Sequence, residues 1–345
     1  MPKKRVVVAM SGGVDSSVAA ALLKQAGYEV SGVYMKLWRD HSLTITDLEH
    51  TCQVLGIPLH TLNLETEFQS AVIDYFCREY GVGHTPNPCT ACNQHIKFGL
   101  LLEKALEMGA DYLATGHYAR IECSPNGYRL LKAIDLTKDQ SYFLYTLGQK
   151  ELQHLLLPLG NLRKVEVRRL AVELGLPTSS RHDSQDVCFI PDNDYRSFIA
   201  KHIPAKSGDI VDSEGVVLGK HNGLARYTVG QRQGLGQVSN QRLYVVRLDA
   251  GSNRLVAGTK DQLLSNTLVA DKLTWVSGKA PSEPINITAK IRYKSPEAAA
   301  KLYPNDGVAR VQFHQPQRAI APGQSIVFYQ GEVVLGGGII EDRVD

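Results

Sequence analysis

The sequence predicts an α/β fold: a Rossmann-like parallel-sheet domain, then a small β-rich central domain and a C-terminal β-barrel. Three observations predict it. Short apolar runs alternate with helical periodicity through the first half of the 345 residues, the pattern of βαβ units. A glycine-rich turn, Ser11-Gly12-Gly13-Val14-Asp15-Ser16-Ser17, joins the first such strand to the first such helix. After Pro204 the texture changes to short, glycine-rich, β-leaning segments, which suit small barrels.

Taken in order, the pattern predicts a strand over 5–10, a helix over 15–27 and a strand over 30–37. A strand over 58–64, helices over 67–80 and 96–109 and a strand over 111–118 follow. A helix over 163–175 is stopped by Gly175 and Pro177. Composition shifts near residue 200 and around 279–284 divide the chain into 1–200, 201–278 and 279–345. The central part holds strands over 209–217, 243–249 and 254–258, and the last part strands over 286–293, 307–313 and 324–329.

The length exceeds what one ordinary core accommodates. With 43% hydrophobic and 21% charged residues the chain is expected to fold rather than stay disordered. Lys and Arg number 38 against 35 Asp and Glu, a net charge of +3, so any nucleic-acid surface must be local. The basic N-terminus runs into an apolar stretch shorter than a signal-peptide core. No apolar stretch approaches the roughly 20 residues of a membrane span. The expectation is a cytoplasmic protein without a membrane partner, whose six cysteines are thiols.

The glycine-rich loop sits where backbone amides and a helix dipole hold phosphates. Three serines, two glycines and an aspartate at the start of a helix suit a triphosphate with its Mg2+, Asp15 orienting the metal; the bland alternative is a tight strand-to-helix turn. The loop lacks the Lys-Ser/Thr ending of a Walker A motif. It resembles the pyrophosphatase loop of ATPases that cleave ATP between the α and β phosphates and adenylate a substrate. Taken alone, it leaves tRNA thiolases, amide-forming synthetases and argininosuccinate-type ligases open.

Thr85-Pro86-Asn87-Pro88-Cys89-Thr90-Ala91-Cys92-Asn93 sets two thiols one turn apart where a proline-started loop enters a helix, and a third, Cys188, follows Asp183-Ser184-Gln185-Asp186-Val187. A thiol near a helix N-terminus tends toward a depressed pKa, as a sulfur carrier needs. Structural zinc, with His95 as a further ligand, and inert buried cysteines are the alternatives. Cys52, Cys77 and Cys123 have no partner at similar spacing and read as packing.

The ordered series of Ser11 to Ser17, Met35-Lys36-Leu37-Trp38, Asn87-Pro88 with Cys92, Ala114-Thr115-Gly116-His117-Tyr118, Lys138-Asp139-Gln140-Ser141-Tyr142-Phe143 and Asp183-Ser184 with Cys188 resembles the bacterial tRNA-specific 2-thiouridylases. Thr228-Val229-Gly230-Gln231-Arg232, Pro322-Gly323-Gln324-Ser325 and Gly336-Gly337-Gly338 extend the match through both β regions.

The resemblance implies adenylation of the wobble uridine of tRNAs for Lys, Glu and Gln at its 2-carbonyl oxygen, then displacement of AMP by sulfur. It implies ATP contacts at Ala9, Met10, Ser11, Gly12, Gly13, Val14, Asp15, Ser16, Met35 and Gly116. Asn87, Pro88 and Cys89 are implied to approach the target base, and His117, Lys138, Asp139, Gln140, Arg292, Tyr293 and Gln324 to touch tRNA. In the family's persulfide scheme Cys188 carries the sulfur and Cys92 is the second catalytic thiol. A cysteine desulfurase, direct or through a relay carrier, is implied as the sulfur donor.

Two departures stand out. Many family members carry aspartate where this chain has Cys89, and the segment 39–46 is short. The extra thiol raises a further expectation, a 4Fe-4S cluster held by Cys89, Cys92 and Cys188 with one iron left without a protein ligand. Two rival functions give these residues less to do. A small-molecule adenylating ligase leaves the three cysteines without a role, and a non-catalytic RNA-binding protein leaves the Asp15 loop idle.

Overall fold

The computed structural model describes residues 2–38, 45–180, 187–190, 194–235 and 242–344. The segments 39–44 and 183–186, which the sequence singles out, lie outside the described residues.

The first sheet contains β1 (Arg5–Ala9), β2 (Glu29–Lys36), β3 (Leu59–Asn63) and β4 (Tyr112–Ala114). After the hairpin β5 (Ala119–Ser124) and β6 (Gly127–Lys132) it gains β7 (Leu155–Leu156). Its order is β3-β2-β1-β4-β7 with every pair parallel. Val6, Val7 and Val8 of β1 are all buried, as a strand covered on both faces requires. The chain leaves β1 toward β2 on one side and later returns as β4 on the other. That reversal opens a crevice beyond the carboxyl ends of β1 and β4, where open α/β sheets bind ligands. The glycine-rich loop follows β1, and Thr115-Gly116-His117 follows β4.

The helix Val14–Gln25 packs on this sheet through Val18, Ala19 and Ala20, whose small side chains let it lie close. Gly27, at φ 90°, ends it in the left-handed conformation. The expected helix over 67–80 is observed as Glu65–Phe68, Gln69–Asp74 and Tyr75–Gly81. The expected helix over 96–109 starts earlier, as Pro88–Ala91, Cys92–Leu100 and Leu101–Glu107. Its start is set locally: Asn87 Oδ1 accepts from the Thr90 amide at 3.3 Å, and Pro88 fills the first helical position. Its middle, Cys92–Leu100, is π-helical, a winding frequent at functional sites. The strand expected over 111–118 is only the three residues of β4.

Past the helix Tyr195–His202, β8 (Gly208–Val211), β9 (Val217–His221), β10 (Tyr244–Asp249) and β11 (Arg254–Gly258) form a second sheet in the order β10-β11-β8-β9. The remaining strands are β12 (Leu264–Trp275), β13 (Ile285–Lys290), β14 (Ala298–Asn305), β15 (Val308–Arg318), β16 (Ser325–Gln330) and β17 (Val333–Val344). They run antiparallel as β12-β15-β14-β13-β16-β17, and pairing of β12 with β17 closes the barrel. Closure removes the open edges that an isolated sheet would expose.

The barrel is welded to the first domain. β6 pairs with β17 through Leu131↔Val333 and Leu130↔Val334, so the β5–β6 hairpin extends the barrel sheet. One apolar core contains Val7, Leu113, Tyr142 and Tyr145 together with Val276, Val327, Tyr329 and Val334. The Tyr142 hydroxyl donates to Ser325 O at 2.8 Å. Among the described residues no helix is long and apolar enough to cross a membrane.

Candidate active site

The glycine-rich loop turns at Gly12, with φ 73°, a conformation glycine adopts without steric cost. Ser16 and Ser17 hydroxyls both donate to Gly13 O, at 3.1 and 3.0 Å, and the Ser11 amide donates to Ser16 Oγ at 3.2 Å. No side chain caps the helix at Gly13, so its first turn presents backbone amides and the positive dipole end to the crevice. Gly116 closes the other wall: a Cβ there would stand 2.8 Å from both Asp15 C and Ser16 N. Ala9 and Met10 are buried beneath the loop, and Met35 is half-buried at the end of β2.

Asp15 is held from two sides. Lys164 Nζ lies 2.7 and 2.8 Å from its two oxygens, and the Tyr118 hydroxyl donates to Oδ1 at 2.7 Å. Lys164 opens the helix Lys164–Glu173, and its backbone amide donates to Asp135 Oδ2 at 2.9 Å. The sequence reading missed Lys164 as a site residue; it stands 149 positions along the chain from Asp15, and no local spacing signals the pair. Tyr118 leads onward, because its amide donates to Gln140 Oε1 at 2.9 Å and its carbonyl accepts from the Gln140 amide at 2.8 Å.

Cys89 and Cys92 lie on the helix started by Pro88, and Cys188 in a turn further along the chain. Cys92 is buried, Cys89 half-buried and Cys188 exposed. Burial pushes the Cys89 and Cys92 thiols up, with the Lys97 ammonium pulling both back down. The expected depressed pKa is therefore not what this structure has: loss of hydration outweighs the helix terminus and the nearby cation. Cys188 is near enough to Cys89 to raise its thiol further. Among the described residues no three His, Cys, Asp or Glu side chains are grouped to hold a metal ion. Of the remaining cysteines, Cys52 is buried and Cys77 half-buried. Burial pushes both to about 11, as packing residues should be. Cys123 instead is exposed on β5, which corrects the packing reading for that residue.

Several residues expected to face RNA are engaged within the protein. The Asp139 carboxylate is buried, and accepts from the Ala133 amide at 2.9 Å and the Ser141 hydroxyl at 2.8 Å. Burial raises its pKa against those bonds. His117 Nδ1 is 2.7 Å from Thr115 Oγ1, and burial lowers this imidazole well below its usual range. Gln324 Nε2 donates to Thr85 O at 2.8 Å, and the Thr85 amide donates to Pro322 O at 2.8 Å. These two bonds bring the barrel against the segment that leads to Asn87. Arg292 Nη2 donates to Arg318 O at 2.7 Å. Tyr293 packs its ring 4.4 Å from that of Phe143, and Lys138 is half-buried.

A phosphate-cradling loop at the switch point of a parallel sheet, a thiol pair on the neighbouring helix and a barrel joined to both define a nucleotide-binding α/β protein with appended β domains. Three family models match in succession: the tRNA methyl transferase HUP domain over residues 4–192, its PRC-barrel domain over 196–259, and the aminomethyltransferase beta-barrel domain over 265–340. The tRNA-specific 2-thiouridylase of Halothermothrix orenii is 48% identical over 98% of this chain and 99% of its own length. That of Acetivibrio thermocellus is 48% identical over 99% and 100%. The chain belongs to the family of tRNA-specific 2-thiouridylases, enzymes of the tRNA sulfurtransferase class.

Proposed function

We propose that this protein thiolates the wobble uridine of tRNAs for Lys, Glu and Gln, using ATP to activate the base and cysteine-borne sulfur to replace its 2-oxygen. The observation that carries the reading is a chain of contacts from the phosphate loop to the thiol helix. Gly116 abuts Asp15 and Ser16 of the loop, and the next residue, His117, lies ring to ring 5.6 Å from Phe98, which stands on the helix that carries Cys89 and Cys92.

The ATP contacts run along Ala9 to Ser16, Met35 and Gly116, with Asp15 as the carboxylate available to Mg2+. The base 2-carbonyl oxygen attacks the α-phosphorus, pyrophosphate leaves, and C2 becomes electrophilic. Exposed Cys188 suits loading with a persulfide by a donor protein, a cysteine desulfurase or a relay carrier. The terminal sulfur attacks C2 and AMP departs with the oxygen. Buried Cys92 then attacks the Cys188 sulfur, which frees the thiocarbonyl and leaves a Cys92–Cys188 disulfide for an external thiol to reduce.

Asn87, Pro88, Cys89, His117, Lys138, Asp139, Gln140, Arg292, Tyr293 and Gln324 form the surface around the base and its tRNA. Asp139, Gln140 and Gln324 act there by shaping backbone. Residues 1–200 carry the adenylating chemistry, 201–278 the central β domain, and 279–345 most of the barrel's RNA face. A reaction that uses tRNA, ATP and reduced thiols belongs in the cytoplasm. A second reading, a 4Fe-4S cluster on Cys89, Cys92 and Cys188, gives a role to the additional thiol at Cys89 in the sequence motif; among the described residues the three thiols are not drawn together as a metal-binding group.

Incubation with tRNA, ATP, Mg2+ and a persulfide donor should give tRNA-dependent pyrophosphate release and 2-thiouridine by mass spectrometry. Pyrophosphate release without tRNA would favour a small-molecule ligase, and RNA binding without release a non-catalytic binder. Cys89→Ser separates the two sulfur routes: unchanged persulfide-driven thiolation by iron-free protein removes the cluster, and joint loss of iron and activity supports it.

A further inference from the structure

Two buried polar side chains next to the thiol pair each hold one atom with nothing to bond among the described residues. Thr90 is 3% exposed and Asn93 2% exposed, and neither Thr90 Oγ1 nor Asn93 Oδ1 has a hydrogen-bond partner among the described residues. Such an atom gives up its bonds to water and gains none in return, so two of them on one helix ask for an explanation. They are three residues apart and so share a helix face, with Cys92 between them in sequence.

The orientation of Asn93 is not ambiguous. Its Nδ2 donates to Phe143 O at 3.1 Å, a carbonyl that only a donor can satisfy. Oδ1 is therefore the free end of the amide, and it is purely an acceptor. Thr90 Oγ1 supplies the complementary capacity, an O–H donor. Alongside stands Phe143 with its ring 4.4 Å from that of Tyr293. Both rings are half-buried, and Tyr293 is close enough to Cys89 to sense it.

We propose that Asn93 and Thr90 read the Watson–Crick edge of the target base, Thr90 by holding its exocyclic group and Asn93 as the residue that selects uracil over cytosine. Asn93 Oδ1 accepts the uracil N3–H, and the Thr90 hydroxyl donates to the O4 carbonyl, which leaves O2 free for adenylation. Cytosine turns an unprotonated N3 toward Oδ1, lone pair against lone pair; the Thr90 hydroxyl can donate to a carbonyl or accept from an amino group, so the discrimination lies with Asn93. A base taken out of its stack is read in this way by enzymes that modify bases. Sites built to hydrogen-bond a substrate reject analogues that leave their buried groups unpaired. Both atoms are closed to water in the free protein, so base entry opens this wall and ties recognition to a conformational step. The proposal rests on the uridine-thiolation reading.

The test uses the full-length enzyme and anticodon stem-loops carrying uridine, cytidine or 3-methyluridine at the wobble position, read by single-turnover pyrophosphate release. Wild-type protein should act on uridine and reject both analogues. Thr90→Val keeps the shape and removes only the unpaired hydroxyl. Its Tm should hold or rise, while the rate on uridine falls roughly ten-fold or more, the loss of one buried bond. Thr90→Ser should restore the rate. Asn93→Leu should lose the preference for uridine over 3-methyluridine, with the ATP dissociation constant within about threefold of wild type.

Thr90→Val at the wild-type rate, or Asn93→Leu with the preference intact, overturns the proposal. If Asn93→Leu does not fold, Thr90→Val and Thr90→Ser decide alone. If the wild-type protein thiolates no uridine-containing substrate, it is the thiolation reading that fails.

Discussion

Lys164 Nζ reaches both carboxylate oxygens of Asp15, at 2.7 and 2.8 Å, across 149 residues of sequence. The Asp15 side chain is 32% exposed and that of Lys164 10%, so the pair faces the crevice from the carboxylate side while the ammonium is enclosed. Asp15→Asn should keep the fold and tRNA binding but lower tRNA-dependent pyrophosphate release by about 10²–10³, the scale of a lost electrostatic contribution, here the carboxylate that would hold Mg2+. Lys164→Met should also lower release, with Asp15 left half-held by Tyr118. Quench-flow pyrophosphate assays compare the two; near wild-type release in Asp15→Asn would remove the carboxylate from the mechanism.

Gly116 has no room for a side chain. A Cβ would press at 2.8 Å on the backbone of Asp15 and Ser16, and backbone cannot swing aside as a side chain does. Gly116→Ala should displace the phosphate loop at a cost of about 1–3 kcal/mol, seen as a rise in ATP KM of roughly ten-fold. The tRNA dissociation constant should barely move; an equal loss in both would mean general unfolding.

The Lys97 ammonium draws down thiols that burial pushes up. A thiol with a raised pKa is protonated at neutral pH, so its thiolate fraction, and with it sulfur transfer, grows as pH climbs toward that raised value. Lys97→Met removes the opposing cation and should move the rising limb of the single-turnover pH–rate profile further toward alkaline pH. Lys97→Arg should leave it near its original position. A limb unmoved in Lys97→Met would show that neither thiol sets it.

Deletion from residue 280 would not isolate the RNA-binding role of the barrel. It would strip β12 of β15 and β17 and take Val327, Tyr329 and Val334 out of the shared core. Arg292→Ala is the sharper test, because burial and the neighbouring Arg318 guanidinium both disfavour the charge on this side chain, and a phosphate would relieve that. The tRNA affinity should drop and the slope of log K against log salt should fall by about one. An unchanged slope in filter-binding titrations would restrict Arg292 to bonding Arg318 O.

The parallel sheet and the phosphate loop were legible in the sequence because their determinants are local; the helix start at Pro88 has equally local determinants, although the apolar periodicity placed it at 96. Three buried valines make a central strand, a glycine at φ 73° makes the loop, and Asn87 with Pro88 starts the helix. Apolar periodicity, steric permission and capping all act within a few residues of chain, so one segment displays them. The β5–β6 hairpin was missed because its partner, β17, lies about 200 residues away and lends it a sheet it does not have alone.

Which residue types the phosphate loop and the thiol helix carry is written in the chain: the serines and glycines with Asp15, and Cys89 with Cys92. The state of those groups is set by three-dimensional packing. Asp15 is clasped by Lys164 and Tyr118, Asp139 and Gln324 are turned to bonds within the protein, and the thiol pair is raised in pKa rather than lowered. Hydration and charge at a buried atom depend on every element packed around it, and contacts between distant segments leave no spacing in the chain from which they could be read.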